Sequence, residues 1–437
     1  MNERLDGYVG SLSKMINIRT VSLKNGVLNE TFDEFHSLLK ILFPNVFKTF
    51  KYEEFNGSIL LSLIIDGTEP VLFMSHHDVV SENGEWVHKP FSAIVENGKL
   101  YGRGTLDTKG NLWAILTSIE ELIVEGYIFK RSIYIESSCN EETSGEGAFE
   151  ISRELIRRGV HFLFTLDEGG MIVKSPISHV EGEFAMIALG EKDYMDIKFI
   201  AKSNGGHSST PDKNNPLSRL SKLVSYIDSD KLFKAHLSDT TIETFRRISN
   251  GSKGMLKFVF KHAKGLKHLL TKVLSKLSPV TESMVKSTLC FTKAEGSADY
   301  NVIPTLAYIC ANIRVQHSDD KNEIIKKLEC IAKRYDIEVE VIDEGYSSNV
   351  SSFDTKEFKL LDDTIKESFE GVVSVPYISV GASDSKYFNE LSENIFRFAP
   401  FSVTNEQLDT MHAKDENIDI DSLPKAVDFY KNLIRKL

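Results

Sequence analysis

The 437-residue sequence predicts an α/β fold in which one layered domain is interrupted by a smaller α+β insertion. Three observations carry this expectation. Over the first 190 residues, apolar strand-like runs alternate with longer helix-like segments, the signature of a largely parallel sheet covered by helices. Near Asp193 the pattern turns to alternating, half-exposed strands. Beyond residue 315, helix-like segments separated by short strands return. The expected division is therefore a discontinuous domain over 1–192 and 316–437, with an insertion over 193–315.

In chain order, the strand candidates are "SILLSLII" from Ser58, "PVLFMS" from Pro70, "RSIYIESS" from Arg131 and "FLFTL" from Phe162. Between them, "NLWAILTSIEELIVEG" from Asn111 and "GAFEISRELIRRG" from Gly147 carry apolar residues at helical spacing and end at glycine. "YMDIKFIAKS" from Tyr194 and "TLAYICANIRV" from Thr305 alternate like antiparallel strands of the insertion. "KNEIIKKLECIAKRY", "FKLLDDTIKESF" and "SLPKAVDFYKNLIRKL" then read as helices of the resumed domain, with "IEVEVI" and "NIFRFAP" as strands.

Bulk properties exclude several classes of function. With 41% hydrophobic and 26% charged residues the chain has ample material for a core. A formal charge of −11 argues against nucleic acid as a partner, which normally needs a basic face. No basic stretch leads into an apolar core at the N-terminus, and no run of about 18 to 20 apolar residues follows, so a cytoplasmic location is expected and a membrane partner is not. Cys139, Cys290, Cys310 and Cys330 show no CxxC spacing, which indicates neither a disulfide framework nor a thiolate metal site. One segment departs from the acidic balance: residues 252–279 hold seven lysines and no acid. Such a basic amphipathic stretch can lie on a membrane surface or in a partner's groove, or it can pack its apolar face on its own domain or a second subunit while the lysines face water.

The chemistry-bearing residues stand where strands end. "PVLFMS" runs into His76, His77 and Asp78; "RSIYIESS" into Glu141 and Glu142; "FLFTL" into Asp167 and Glu168. Ligands of open α/β sheets bind at carboxyl ends of strands, so these groups can converge. A further acid, Asp107, sits in the glycine-flanked turn "YGRGTLDTKG", where by itself it would read as a helix N-cap. So many carboxylates at one edge would be costly without a cation. Nitrogen and oxygen donors without thiolate suit zinc, with manganese or cobalt as alternatives, and several carboxylates suit two ions bridged by one of them. Competing motifs are missing: there is no GxxxxGK[ST] phosphate loop, no GxGxxG and no GxSxG nucleophile elbow.

"SHHDVV", "YGRGTLDTKG", "CNEETSG", "LDEGG", "NGGHSSTP", "NVIP" and "MHAKDENI" occur in an order and spacing that resemble the di-zinc metallopeptidase family of aminoacylase, succinyl-diaminopimelate desuccinylase, glutamate carboxypeptidase and carboxypeptidase S. "LDEGG" and the long lysine-rich insertion look most like the carboxypeptidase S branch. The resemblance spans nearly the whole chain. It implies a mixed-sheet α/β catalytic domain with an inserted ferredoxin-like lid that serves dimerisation, and two zinc ions per chain. One ion would be held by His76 and Glu168, with Asp167 as the alternative to Glu168; the other by Glu142 and His412; Asp107 would bridge them. Asp78 would orient His76. Glu141 would be the general base, adjacency at an extended strand end pointing it away from its metal-binding neighbour. His207 of the lid would reach over the site, often from a partner subunit, to stabilise the oxyanion, while Asn301 and Arg314 would bind the substrate's free carboxylate. Gly381, in "VGASDSKYF", would lie in the loop beside the substrate. Two departures, Ser75 and Ala413 where relatives commonly carry glycine, remove no ligand.

The activity implied is hydrolysis of an amide bond next to a free-carboxylate amino acid, of the carboxypeptidase or dipeptidase type. An N-acyl-amino-acid hydrolase is the alternative, with an N-acyl amino acid in place of a small peptide. A non-catalytic binding protein on the same scaffold is the remote one.

Overall fold

Each of the four early apolar runs is short, wholly or almost wholly buried, and bounded by polar turns, so each becomes a strand of one central sheet. The structure, a computed structural model, describes residues 3–23, 30–143, 145–177, 179–229, 232–277, 279–346 and 348–437. Val71–Met74 lies between Ile133–Ser137 and Phe164–Asp167, all three parallel, so their carboxyl ends open on the same edge. That edge carries the candidate site.

The sheet is mixed rather than largely parallel. Lys51–Phe55 and Ser58–Leu63 form a hairpin whose turn residues, Asn56 and Gly57, adopt φ of 47° and 88°. This is the left-handed pair that tight antiparallel turns favour. The hairpin joins the sheet antiparallel to Ile133–Ser137, and Ile172–Lys174 is likewise antiparallel to Glu183–Glu191. The helix Lys109–Val124 buries residues on nearly all sides, including Trp113, Ile115 and Leu116, because strands flank one face and the helices Glu3–Asn17 and Ser422–Lys436 the others.

Thr288–Glu295, Leu306–Val315, Asp193–Lys202 and Glu338–Asp343 form a second, wholly antiparallel sheet in that order. Its core takes Leu220, Leu223 and Ile227 from the helix Pro216–Ile227, and Ile324, Leu328 and Ile331 from Lys321–Lys333. The small unit therefore runs on to Asp343 and does not stop at Val315. The helix and strand after residue 320, expected to resume the first domain, complete this sheet instead, because Ile337 and Val339 find their apolar partners there.

The insertion also divides. The helix Asp239–Ile248 packs on the large sheet, and Phe245, Phe260, Leu270 and Leu274 share a core with Phe184 and Val375. The lysine-rich segment is thus two helices, Gly254–Lys261 and Lys267–Leu277, whose inner apolar residues Phe260, Leu270 and Leu274 join a core shared with Phe245 of the helix Asp239–Ile248 and with Phe184 and Val375 of the large sheet. Phe260, Leu270 and Leu274 are covered in this way, whereas Met255, Phe258, Leu269 and Val273 of the same helices are exposed. Among the described residues no helix is long and apolar enough to cross a membrane.

Candidate metal centre

Three parallel strand ends and two loops deliver the site. His76 follows Val71–Met74, Glu141 and Glu142 follow Ile133–Ser137, and Glu168 follows Phe164–Asp167. Asp107 comes from the loop before Lys109–Val124, and His412, held at φ 56°, from the turn after Asn405–Leu408. Thr108, not Asp107, occupies the cap position of that helix. The aspartate is free for other work.

Asp107 stands between two imidazoles. Its Oδ1 lies 3.0 Å from His76 Nε2 and its Oδ2 2.8 Å from His412 Nε2. His412 Nε2 is also 3.1 Å from Glu142 Oε2. His76, Asp107 and Glu142 each present one donor atom, all within 4.8 Å of one another. Glu141, Glu168 and Gly381 join Asp107, Glu142 and His412 in the wall of one cavity of about 230 Å³.

The electrostatics follow from this crowding. Burial opposes ionisation of Asp107, but hydrogen bonds with His412 and His76 outweigh it and hold the carboxyl well below its usual range. The same contacts with Asp107 and Glu142 push His412 up to about 10. His76 is raised as well, its burial outweighed by Asp107 and Asp78. Glu141 and Glu168 move the other way: burial, and then neighbouring acids, raise both well above the ordinary carboxylate range despite the opposing influence of His76. Oε1 of Glu142 is buried with no hydrogen-bond partner. A divalent cation among these oxygen and nitrogen donors would satisfy that atom and stabilise the ionised carboxylates, so the residues fit a metal centre.

Asp78 is completely buried and does more than orient a histidine. The nearer acceptor for His76 Nδ1 is the main-chain oxygen of Asp78 at 2.9 Å, with the carboxylate at 3.3 Å. That carboxylate accepts from the amides of Glu141 at 3.1 Å and Glu142 at 3.2 Å, and from Ser22 Oγ at 2.6 Å. The two glutamates consequently sit in a 3₁₀ turn, Glu141–Thr143, and not at an extended strand end. Successive side chains of such a turn still diverge, by about 120°. His77 turns away into the core, where it stacks on Phe35. Asp167 is buried beneath its neighbour, accepting from the amides of Glu168 and Ser385.

The other expected site residues lie elsewhere. His207 is exposed on the short ribbon Gly206–His207 with Val302–Ile303, its Nδ1 2.7 Å from Ser209 Oγ. Asn301 is exposed at the start of the same ribbon, and its main-chain oxygen accepts from Ser208. Arg314, in the small sheet, donates to Asn312 Oδ1 and lies over the Tyr194 ring. None of the three lines the cavity.

Two buried ion pairs at the site escaped the sequence reading. Glu416 accepts from Arg103 Nη1 at 2.7 Å and from the amides of Leu106 at 2.8 Å and Asp107 at 3.2 Å, which ties the Asp107 loop to the His412 loop. Arg397 pairs with Glu191 at 2.9 Å, and both line the cavity. The available signal was an arginine inside the otherwise apolar run "NIFRFAP", since a charged residue in a buried strand needs a partner.

A sheet whose parallel strand ends, with two neighbouring loops, gather two imidazoles and several carboxylates around one aspartate defines a metal-dependent hydrolase of the α/β class. The chain belongs to peptidase family M20/M25/M40, whose model matches residues 72–436. It is 31% identical to a probable carboxypeptidase S-like protein of Dictyostelium discoideum, over 97% of this chain and 84% of that one. It is 29% identical to a human N-fatty-acyl-amino acid synthase/hydrolase, over 97% and 86%. Among solved structures, an M20 family metallo-carboxypeptidase from Sulfolobus solfataricus superposes with a TM-score of 0.72 at 18% identity, over 100% of this chain and 99% of that one.

Proposed function

We propose that this metal-dependent hydrolase uses two zinc ions to cleave the amide bond next to an amino acid with a free carboxylate, as a carboxypeptidase or dipeptidase. The observation that carries the reading is Asp107, with one carboxylate oxygen toward His76 and the other toward His412, while Glu142 and Glu141 stand beside them. A single carboxylate shared by two imidazole-bearing sets of donors is suited to bridge two ions.

His76 would hold one ion with Glu168 or its neighbour Asp167, and Glu142 with His412 the other. The bound pair would lower the pKa of a water to near neutrality and polarise the scissile carbonyl. Glu141 accepts the proton of the attacking water and returns it to the leaving amine. Its place in the cavity wall beside Asp107, Glu142 and His412 suits this double duty, because one carboxyl within reach of the water can act first as base and then as acid. Asp78 keeps Glu141 and Glu142 apart and in place through their amides. His207, Asn301 and Arg314 would contribute from the small unit, reaching the oxyanion and the substrate carboxylate by closure of that unit or from the partner of a homodimer.

Hydrolysis of an N-acyl amino acid is the second reading, favoured by the name of the human relative. The deciding experiment is a hydrolysis screen on the zinc-loaded protein, with dipeptides varied at the C-terminal residue set against N-acyl amino acids. Release of a free amino acid from neither set would refute both readings.

A further inference from the structure

The cavity has a polar wall that the chemistry above does not use. Arg397 ends the strand Ile395–Arg397, opposite Asp167 in parallel register, and is 1% exposed. Its Nε donates to Glu191 Oε1 at 2.9 Å and its Nη2 to Ser348 Oγ at 3.1 Å. Arg397 and Glu191 both line the cavity that holds Glu141, Glu142 and Glu168. Each keeps one buried polar atom with no hydrogen-bond partner, Nη1 of the arginine and Oε2 of the glutamate.

A pair that only joined strands would gain by satisfying those atoms, because charged donors and acceptors left unmade in a dry site are costly. A substrate group that offers an acceptor and a donor together relieves both. A plain aliphatic chain relieves neither. The pair is neutral as a whole and stands among other acids, so it does not suit the lone carboxylate of the leaving amino acid. It suits the opposite, acyl side of the scissile bond. The cavity, at about 230 Å³, is smaller than the roughly 300–1,000 Å³ of sites that enclose drug-sized ligands, and so takes a group of amino-acid size.

We propose that Arg397 and Glu191 are specificity-determining residues that select an aminoacyl or peptidyl group on the acyl side of the substrate and disfavour an unsubstituted aliphatic acyl chain. This rests on the amide-hydrolase reading and decides between its two forms. The guanidinium Nη1 would donate to a carbonyl oxygen of the acyl group, and Glu191 Oε2 would accept from its amine or amide N–H.

The test compares two substrates of equal size on the zinc-loaded protein, glycyl-phenylalanine and N-propionyl-phenylalanine, with the longer N-octanoyl-phenylalanine as a third. In the wild type kcat/KM should favour the glycyl over the propionyl substrate by roughly 10- to 100-fold. The paired variant Glu191→Leu with Arg397→Met removes both charges and strands neither. Its ratio should fall to about 1, chiefly through KM. Arg397→Lys keeps a cation beside Glu191, serves if the paired variant does not fold, and should lower the ratio at least about threefold because the planar fork is lost. A wild-type ratio near 1, a preference for propionyl or octanoyl, or a folded variant that slows both substrates equally would overturn the assignment. Hydrolysis of none of the three by the wild type, nor of any amide in the broader screen, would instead overturn the hydrolase reading itself.

Discussion

Arg103 and Glu416, 313 residues apart in sequence, meet in a fully buried ion pair 2.7 Å long. Through the amides of Gly104, Leu106 and Asp107, the same carboxylate grips the loop that presents Asp107. His412 lies four residues before Glu416. One carboxylate thus ties together the two loops that carry the central aspartate and one of its imidazoles.

Removing that carboxylate should be expensive twice over. Glu416→Ala leaves a buried guanidinium unpaired, a loss of about 3–5 kcal/mol, and frees the Asp107 loop. Thermal or urea unfolding should register the destabilisation, and metal analysis should show lower occupancy. Unchanged stability and metal content would mean that other contacts hold Asp107.

The adjacent glutamates should separate catalysis from metal binding. Glu141→Ala is expected to lower kcat by about 10²–10⁴-fold while bound metal is retained. Glu142→Ala should lose metal. An inactive Glu142→Ala protein that still held two ions would reverse the assigned roles.

Chelation should abolish turnover and lower the Tm, and zinc should restore both, with close to two ions per chain at saturation. A ligand that binds only the folded state stabilises it by about 4 kcal/mol at a thousand times its Kd, so the shift in Tm should grow with free zinc. A Tm indifferent to zinc would count against the centre.

Lys192 provides a pH test away from the metal ligands. It is 2% exposed, its Nζ donates to Lys286 O at 2.7 Å, and burial pushes its ammonium down to about 8. A base whose folded pKa is lowered penalises folding below that pKa, and the penalty is relieved as pH rises toward the unfolded value near 10.5. Lys192→Met should therefore raise stability at pH 6 to 7, on the order of 1–2 kcal/mol after the lost hydrogen bond is deducted, with the advantage shrinking toward pH 10. Differential scanning calorimetry across this range would show it; an advantage that grew with pH would contradict the cause given.

His207 tests the contribution of the small unit. If it acts across a dimer, equal amounts of His207→Ala and Glu141→Ala chains, each inactive alone, should recover roughly a quarter of wild-type activity when mixed and allowed to exchange. No recovery from chains shown to exchange would confine His207 to its own subunit.

Much of the site was legible in the sequence because chemistry-bearing residues followed apolar runs: His76, Glu141 and Glu168 could be assigned to strand ends before any strand was seen. Their side-by-side parallel order then brought them together. The helix Lys109–Val124 was legible from its spacing. The limits of the small unit were not, since Ile337 and Val339 alternate equally well against either sheet, and the choice was made by apolar partners more than a hundred residues earlier. The lysine-rich segment showed an amphipathic pattern and no indication of what would cover its apolar face.

The sequence by itself determined the residue types, their order along the chain and the strand ends that carry them, because these depend on local periodicity and on a short connection from strand to loop. Only the tertiary structure decided which of those groups share a cavity. It set the 3₁₀ turn that separates Glu141 from Glu142, left Arg314 over Tyr194 in the small sheet, and brought Arg397 to Glu191 and Arg103 to Glu416. Those arrangements depend on buried charges finding partners across hundreds of residues, a condition that is met in space and leaves no periodic trace in the chain.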